Sequence, residues 1–306
     1  MPVVKVSHVT TYSYSQPARF GEHRIMVRPR ESFDQYLIGA ELRIDPEPSE
    51  IRWQQDVFGN SVAIATFDRR TKRLQIASEA EVLHHPIELQ DVHIEGYART
   101  YPFTYSSEDM PDLLRSIERQ HLDPQRQVDT WARRFIAGGG ELGTLTMLSN
   151  MTTAIQREFT YLSRAQKGTQ TPIETLDRGI GTCRDYAVLM IEAVRALGLA
   201  ARFVSGYVYN PAGSRRMTGG GNTHAWVRVF LPGSGWVEFD PTNGIIGTRG
   251  LIRVAVARDI YQAVPISGTW TGFPGSFQGM DVSVTIDVDQ NASAGTPHNI
   301  SPSGSH

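Results

Sequence analysis

Through the first 90 residues the apolar positions recur in short, mostly alternating runs between turn residues: "VVKVSHVTTYSY", "HRIMVRP", "LIGAELRIDPEP", "SVAIATFD" and "RLQIASEAEVL". A period of two, carried by β-branched and aromatic residues, predicts strands. Gly59 and Asn60 in "DVFGNSV" mark a turn, and Pro46 and Pro48 punctuate the end of another strand. Residues 1–90 therefore read as an antiparallel β domain of the sandwich kind.

After residue 108 the spacing becomes helical. "MPDLLRSIERQHL" and "DPQRQVDTWARRFI" are predicted helices, the second opening with an Asp before a Pro at the first helical position. In "TLTMLSNMTTAIQREF", Leu145, Leu148, Thr152, Ile155 and Phe159 fall on one stripe. Thr171, Pro172 and Glu174 stand in capping-box order and start a further short helix. Strands return at "ARFVSGYVY", "HAWVRVFL" and "GWVEFDP", and the polar tail, residues 289–306, is expected to be disordered.

One helix carries the only cysteine. In "GTCRDYAVLMIEAVRALGL", Ala187, Met190, Ile191, Val194 and Leu197 recur at helical spacing, and Gly198 stops the helix. Thr182 with Asp185 three positions on is a capping pair, which makes Cys183 the first helical residue. A thiol there meets free backbone N–H groups and the positive end of the helix dipole, which favour the thiolate. A small buried core residue is the other reading of the same cysteine.

Bulk properties narrow the choice. A chain of 306 residues, 40% of them hydrophobic, exceeds the roughly 250 to 300 residues that one core usually organises, so two parts are expected. Thirty Lys and Arg against 32 Asp and Glu, without long runs of either sign, argue against a nucleic acid or a membrane surface as partner. A single cysteine excludes an internal disulfide and a thiolate zinc cluster. "MPVVKVSHVTTYSYSQP" lacks the regions of a secretory signal, and no apolar run approaches the ~20 residues of a bilayer span. The chain is expected to be soluble and cytoplasmic, with nothing to specify an oligomeric state.

A cysteine nucleophile needs a histidine to share its proton and a third group to orient that histidine. "NTHAWVRVFLPGSGWVEFDPTNG" offers His224 at the start of one strand and Asp240 at the end of the next. If "LPGSG" is a five-residue hairpin loop, Phe230 pairs with Trp236 and Asp240 lies opposite Trp226. Side-chain alternation then puts His224, Trp226 and Arg228 on one face with Trp236, Glu238 and Asp240. His224 and Asp240 become diagonal neighbours, roughly 7 to 8 Å apart along the backbone. A loop one residue longer or shorter separates them.

These motifs, "GTCRDYAVL", "ARFVSGYV", "HAWVRVFLPGSGWVEFDPTNG" and "VAVARDIYQAVPISGTWTG", resemble bacterial proteins with a transglutaminase-like domain, a group often labelled cysteine proteases. "HVTTYSYSQP" and "MVRPR" resemble the β domain that precedes the catalytic domain in that family. The resemblance implies an α+β fold: a papain-like domain with the cysteine helix packed on an antiparallel sheet that carries the histidine and aspartate. It places that domain at 91–288, with a helical connection about 108–160, a core about 161–265 and a C-terminal strand about 280–288. By position, the implied triad is Cys183, His224 and Asp240.

The expected chemistry is attack of Cys183 on an amide carbonyl of a peptide or protein, giving a thioester resolved by water or by an amine. Asp240 fixes the His224 tautomer. The backbone N–H of Cys183 is one oxyanion donor and Tyr161 a candidate second, with a structural tyrosine as the alternative. Trp226, Trp236, Tyr207 and Tyr209 are candidates to line an acyl groove or to pack the sheet. No metal or other cofactor is implied: "DVDQNA" has Ala292 where a calcium loop needs glycine, and His84 and His85 read as surface residues. "GGGELG" at 138–143 follows a helix pattern and reads as a loop, and the glycine-rich 213–222 ahead of His224 reads as a connection able to move over the site. A non-catalytic scaffold that keeps the fold is the alternative of a different class.

Overall fold

The computed structural model describes residues 1–137, 142–162, 168–211 and 217–289. Its N-terminal part supplies β1 (Val3–Ile25), β2 (Gln35–Asp45), β3 (Glu50–Gln55), β4 (Ser61–Thr66) and β5 (Arg70–His84). Helices α1 (Met110–Ile117), α2 (Gln127–Arg133), α3 (Thr144–Glu158), α4 (Pro172–Arg178) and α5 (Cys183–Ala196) follow. The chain then forms β6 (Ala201–Val208), β7 (His224–Leu231), β8 (Gly235–Asp240), β9 (Ile245–Ile246), β10 (Leu251–Ala257), β11 (Ile266–Thr271) and β12 (Phe277–Asp289). Two-residue ladders join Thr100–Tyr101 to Leu142–Gly143 and Thr160–Tyr161 to Ile180–Gly181. The fold is α+β.

Among the described residues the strands make two main sheets. The first runs β2-β5-β1-β4-β3, with β11 and β12 also paired to β1. Residues Val3–Ser13 of β1 lie between β5 and β12, whereas His23–Ile25 lie between β11 and β4. The two strand runs separated in sequence by "SQPARFGE" are therefore one long strand with irregular register, which is how a sheet bends. β12 begins at Phe277 and pairs with β1, so a strand expected in the second domain completes the first sheet instead. The second sheet runs β9-β8-β7-β6-β10 and is antiparallel.

The two sheets pack face to face. Val4, Val6, Val82 and Val284 of the first meet Tyr207, Ile252 and Val254 of the second. Tyr207 bonds His8 Nδ1 at 2.9 Å and Tyr209 bonds His84 Nδ1 at 2.8 Å across the same seam. His84 is thus fully buried, against the surface position expected of it. Arg253 on β10 bridges the halves as well, bonding Asp34 at 2.9 Å and Glu238 at 2.8 Å.

On the other side of the second sheet lies the main core. Helix α5 is enclosed there by α2, α3 and α4 on one side and β7 on the other. Its polar residues are buried in pairs: Arg195 bonds Glu192 at 3.0 Å, and Glu192 also accepts from the Gln120 amide at 3.1 Å. Helix α2 starts at Gln127, three residues later than its Asp-Pro signal predicts. Arg126 takes φ 55°, and Asp123 instead accepts the Gln127 and Asp129 amides at 2.7 and 3.1 Å. The tail from residue 290 and parts of the glycine-rich segments, 138–141 and 213–216, lie outside the described residues. Among the described residues no helix is long and apolar enough to cross a membrane.

Candidate active site

The helix that presents Cys183 is pinned at its first turn. Asp185 accepts from the Thr182 amide at 2.8 Å, the Thr182 hydroxyl at 2.9 Å and the Gln170 amide at 2.7 Å. Those bonds fix the chain entering α5, so the thiol is aimed by the capping residues. The ladder between Thr160–Tyr161 and Ile180–Gly181 then brings Tyr161 alongside, where its hydroxyl interacts with the Cys183 sulfur.

Strands β7 and β8 carry the other two groups. Their register pairs Phe230 with Trp236 and Val227 with Phe239, as expected, but Leu231 also pairs with Gly235, so the loop is the three residues 232–234 and not five. Ala225, Val227, Val229, Val237 and Phe239 face the α5 core. On the alternate positions His224 Nε2 lies 2.8 Å from Asp240 Oδ2, with both side chains buried. His224 Nδ1 is left for the thiol.

A turn that sequence reasoning passed over supports this pair. Thr242 and Asn243 donate to Asp240, the Thr242 amide to Oδ1 and Asn243 Nδ2 to Oδ2, at 2.9 and 2.8 Å. Asn243 Oδ1 accepts from the Thr218 amide at 2.7 Å, which ties this turn to the loop ahead of His224. In that loop Gly219, at φ +96°, approaches His224 so closely that an added Cβ would sit 2.8 Å from Nδ1. The Trp226 ring stacks on the imidazole at 5.9 Å between centroids. The only sequence signal for Asn243 is "DPTNG", which also reads as an ordinary turn.

Burial opposes charge on every member of the constellation, and the mutual attractions reverse it. Burial lifts the Cys183 thiol, but the His224 bond and charge and the Arg184 charge hold it below its ordinary value. Burial lowers His224, but the Asp240 charge and hydrogen bond, with the Cys183 interaction, raise it to about 10. Asp240 is lifted by burial and held down by His224, Asn243 and the Thr242 amide. For Tyr161, burial and then the Cys183 charge raise the phenol, so its hydroxyl keeps its proton as a donor.

A cavity of about 600 Å³ opens over Cys183. Arg184 and Tyr161 line it from the second sheet's side, and Tyr12, Trp270 and Met280 line it from the first sheet. The four aromatics expected at an acyl groove are elsewhere. Trp226 is fully buried among Val204, Val208, Leu251 and Val256; Tyr207 and Tyr209 bond histidines in the seam between the sheets. Trp236 packs edge-on to Phe230 and under the Arg202 guanidinium at 4.1 Å. Tyr207 and Tyr209 are covered by the first sheet, Trp226 is enclosed by its neighbours in the second, and half-buried Trp236 packs on the main core, so none of the four lines the cavity over Cys183.

Comparison with known proteins places this geometry. Residues 4–83 match the bacterial transglutaminase-like N-terminal region, and residues 129–241 match the transglutaminase-like superfamily. The chain carries a transglutaminase-like domain preceded by the N-terminal region found with it in bacteria. An uncharacterized Mycobacterium tuberculosis protein is 29% identical over 291 residues, covering 92% of this chain and 91% of its own. A protein-glutamine gamma-glutamyltransferase of Pseudomonas aeruginosa is 41% identical over 76 residues, 24% of this chain and 11% of that protein. A Cytophaga hutchinsonii structure provisionally named a cysteine protease superposes with a TM-score of 0.68 at 19% identity, covering 97% of this chain and 93% of that one. That likeness is one of fold. The matched N-terminal region spans β1–β5 and the matched core spans α3–α5 and β6–β8, while β9–β12 lie outside both matches.

Proposed function

We propose that this transglutaminase-like protein is a thiol enzyme acting on amide bonds of peptides or proteins through Cys183, His224 and Asp240. The carrying observation is the buried His224 to Asp240 bond of 2.8 Å beside a thiol whose acidity His224 raises. Cys183 rests as a thiolate paired with the imidazolium, and attacks the carbonyl carbon. The Cys183 backbone N–H and the Tyr161 hydroxyl receive the oxyanion. His224 Nδ1 gives its proton to the departing amine, which leaves as the carbonyl reforms in the thioester. Water, losing a proton to Nδ1, then releases the acid and restores the thiolate.

An amine replacing that water gives transamidation. The local likeness to a protein-glutamine gamma-glutamyltransferase supports this second outcome without changing the residues that carry the first step. The protein is proposed to act in the cytoplasm. Two measurements test the reading. Iodoacetamide alkylates Cys183 rapidly at neutral pH and at least about tenfold more slowly in His224→Ala; equal rates in the two proteins overturn it. A glutamine peptide incubated with and without a primary amine separates the two outcomes, because only transfer yields the amine adduct by mass spectrometry.

A further inference from the structure

Two paired strands carry an apolar stripe that outruns the surface it is built to cover. On β1 the inward positions are Val4, Val6, His8, Thr10, Tyr12 and Tyr14, and on β12 they are Val288, Ile286, Val284, Val282 and Met280. Their register sets Val6 beside Ile286, His8 beside Val284, Thr10 beside Val282 and Tyr12 beside Met280. From Val4 to His8 the stripe is pressed onto the second sheet through Tyr207, Ile252 and Val254. Past that contact it continues into the cavity over Cys183, which Tyr12, Tyr14, Met280 and Val282 all line. Exposure along β12 rises from 5% at Val284 to 52% at Met280. Trp270 of β11 joins the same wall, its ring 5.0 Å from that of Tyr14 and 37% exposed.

An apolar face left bare in a catalytic cleft calls for an occupant. The charge around it says which. Arg184 is the one formally charged side chain among the described residues that line the cavity, and no carboxylate does. His23, which also lines it, is lowered by burial and stays neutral. Nothing there would pair with a basic substrate side chain, whereas aromatic and thioether groups offer a large flat surface to an apolar one. We propose that the first sheet supplies the specificity wall of the active site, and that it selects peptide substrates with a bulky apolar side chain next to the attacked carbonyl. Tyr12, Met280 and Trp270 are its specificity-determining residues. The N-terminal β region and the final strand pair are then parts of the catalytic cleft, joined to it also by the Val284 amide donating to Gly221 O at 3.1 Å, just ahead of His224.

This inference rests on the thiol reading above, and its test keeps the two apart. The full chain is treated with chloromethyl ketones built on acetyl-phenylalanine, acetyl-glycine and acetyl-lysine, and separately with iodoacetamide. In each case the Cys183 thiolate displaces halide and forms one C–S bond, read as a mass increment. The phenylalanyl reagent is expected to label at least about tenfold faster than the glycyl and lysyl reagents. In Met280→Glu, at an exposed position, that preference falls to within about threefold of the glycyl reagent and the lysyl reagent gains, while the iodoacetamide rate stays within about twofold. Tyr12→Ser is the second variant. Equal labelling by the three reagents in the wild type, or a preference untouched by both variants, overturns the wall. Iodoacetamide rates indifferent to His224→Ala overturn the thiol reading instead.

Discussion

Asn243 Nδ2 donates to Asp240 Oδ2 at 2.8 Å, the same oxygen that lies 2.8 Å from His224 Nε2. Two donors thus converge on one carboxylate oxygen, and the side chain that orients His224 is itself oriented by a turn. Asn243 is a positioning residue, since it meets the thiol only through Asp240 and His224.

Removing it has a defined signature. A hydrogen bond to a charged group contributes about 1.5–3 kcal/mol, so Asn243→Ala is expected to slow iodoacetamide alkylation at neutral pH by about tenfold or more. Asp240, no longer oriented by that bond, holds the imidazolium less well, and the acid limb of the rate profile moves up toward the ordinary thiol range. A rate that falls with no movement of that limb would mean that the turn merely loosened.

Gly219 is argued by contact as well as by conformation. At φ +96° with a Cβ position 2.8 Å from His224 Nδ1, Gly219→Ala strains the backbone and displaces the imidazole edge that faces Cys183. Alkylation is expected to fall by about tenfold or more. Gly220, with nothing within 4 Å of its Cβ position and no positive φ, gives the control. If Gly220→Ala slows the thiol as much as Gly219→Ala does, the contact is not the cause.

The contrast between these residues and the triad shows what a sequence makes legible. Cys183 follows from a capping pair, and His224 with Asp240 from a hairpin whose strand register is as expected, although Leu231 pairs with Gly235 and the loop is three residues instead of five. Both are local rules. Asn243 and Gly219 matter because the chain between β6 and β7 returns over the end of β8, a long-range placement that "DPTNG" and "TGGGN" do not encode. Tyr207 and Tyr209 fail as groove residues for the same reason: alternation gives a face, and only the packing of the two sheets says what covers it. β3 escapes notice because its apolar alternation is only Ile51 and Trp53, both exposed, too short a period to read.

That seam makes stability depend on pH. His8 faces Tyr207 and Thr10, and His84 faces Tyr209, with Asp34 favouring its charge and Arg253 and His85 opposing it. Burial lowers both imidazoles to about 4 from an ordinary 6.5. A histidine whose folded value is depressed is neutral in the fold while the unfolded chain takes up a proton. Its contribution is therefore complete above 6.5 and is lost as pH falls from there toward 4. Each is expected to remove about 2 kcal/mol between pH 7 and pH 5. Urea unfolding at the two pH values measures this, and His8→Gln with His84→Gln flattens the difference. An unchanged difference in that double variant would place the acid sensitivity elsewhere.

Tyr161 separates nucleophile activation from oxyanion stabilisation. Its hydroxyl keeps its proton, because burial and the adjacent thiolate both oppose ionisation, and it interacts with the sulfur whose attack creates the oxyanion on the substrate's carbonyl oxygen. Alkylation by iodoacetamide displaces halide at a saturated carbon and forms no oxyanion, whereas attack on an amide or ester does. Tyr161→Phe keeps the ring and its packing 6.3 Å from Tyr186, so the fold is retained. Loss of one oxyanion donor typically lowers turnover by about a hundredfold or more. The expected outcome is an iodoacetamide rate within a few-fold of wild type, with a drop of that size in release of p-nitrophenol from an acyl-phenylalanine p-nitrophenyl ester. A parallel fall in both rates would instead assign the hydroxyl to holding the thiolate, and unchanged ester turnover would leave the backbone N–H of Cys183 as the working donor.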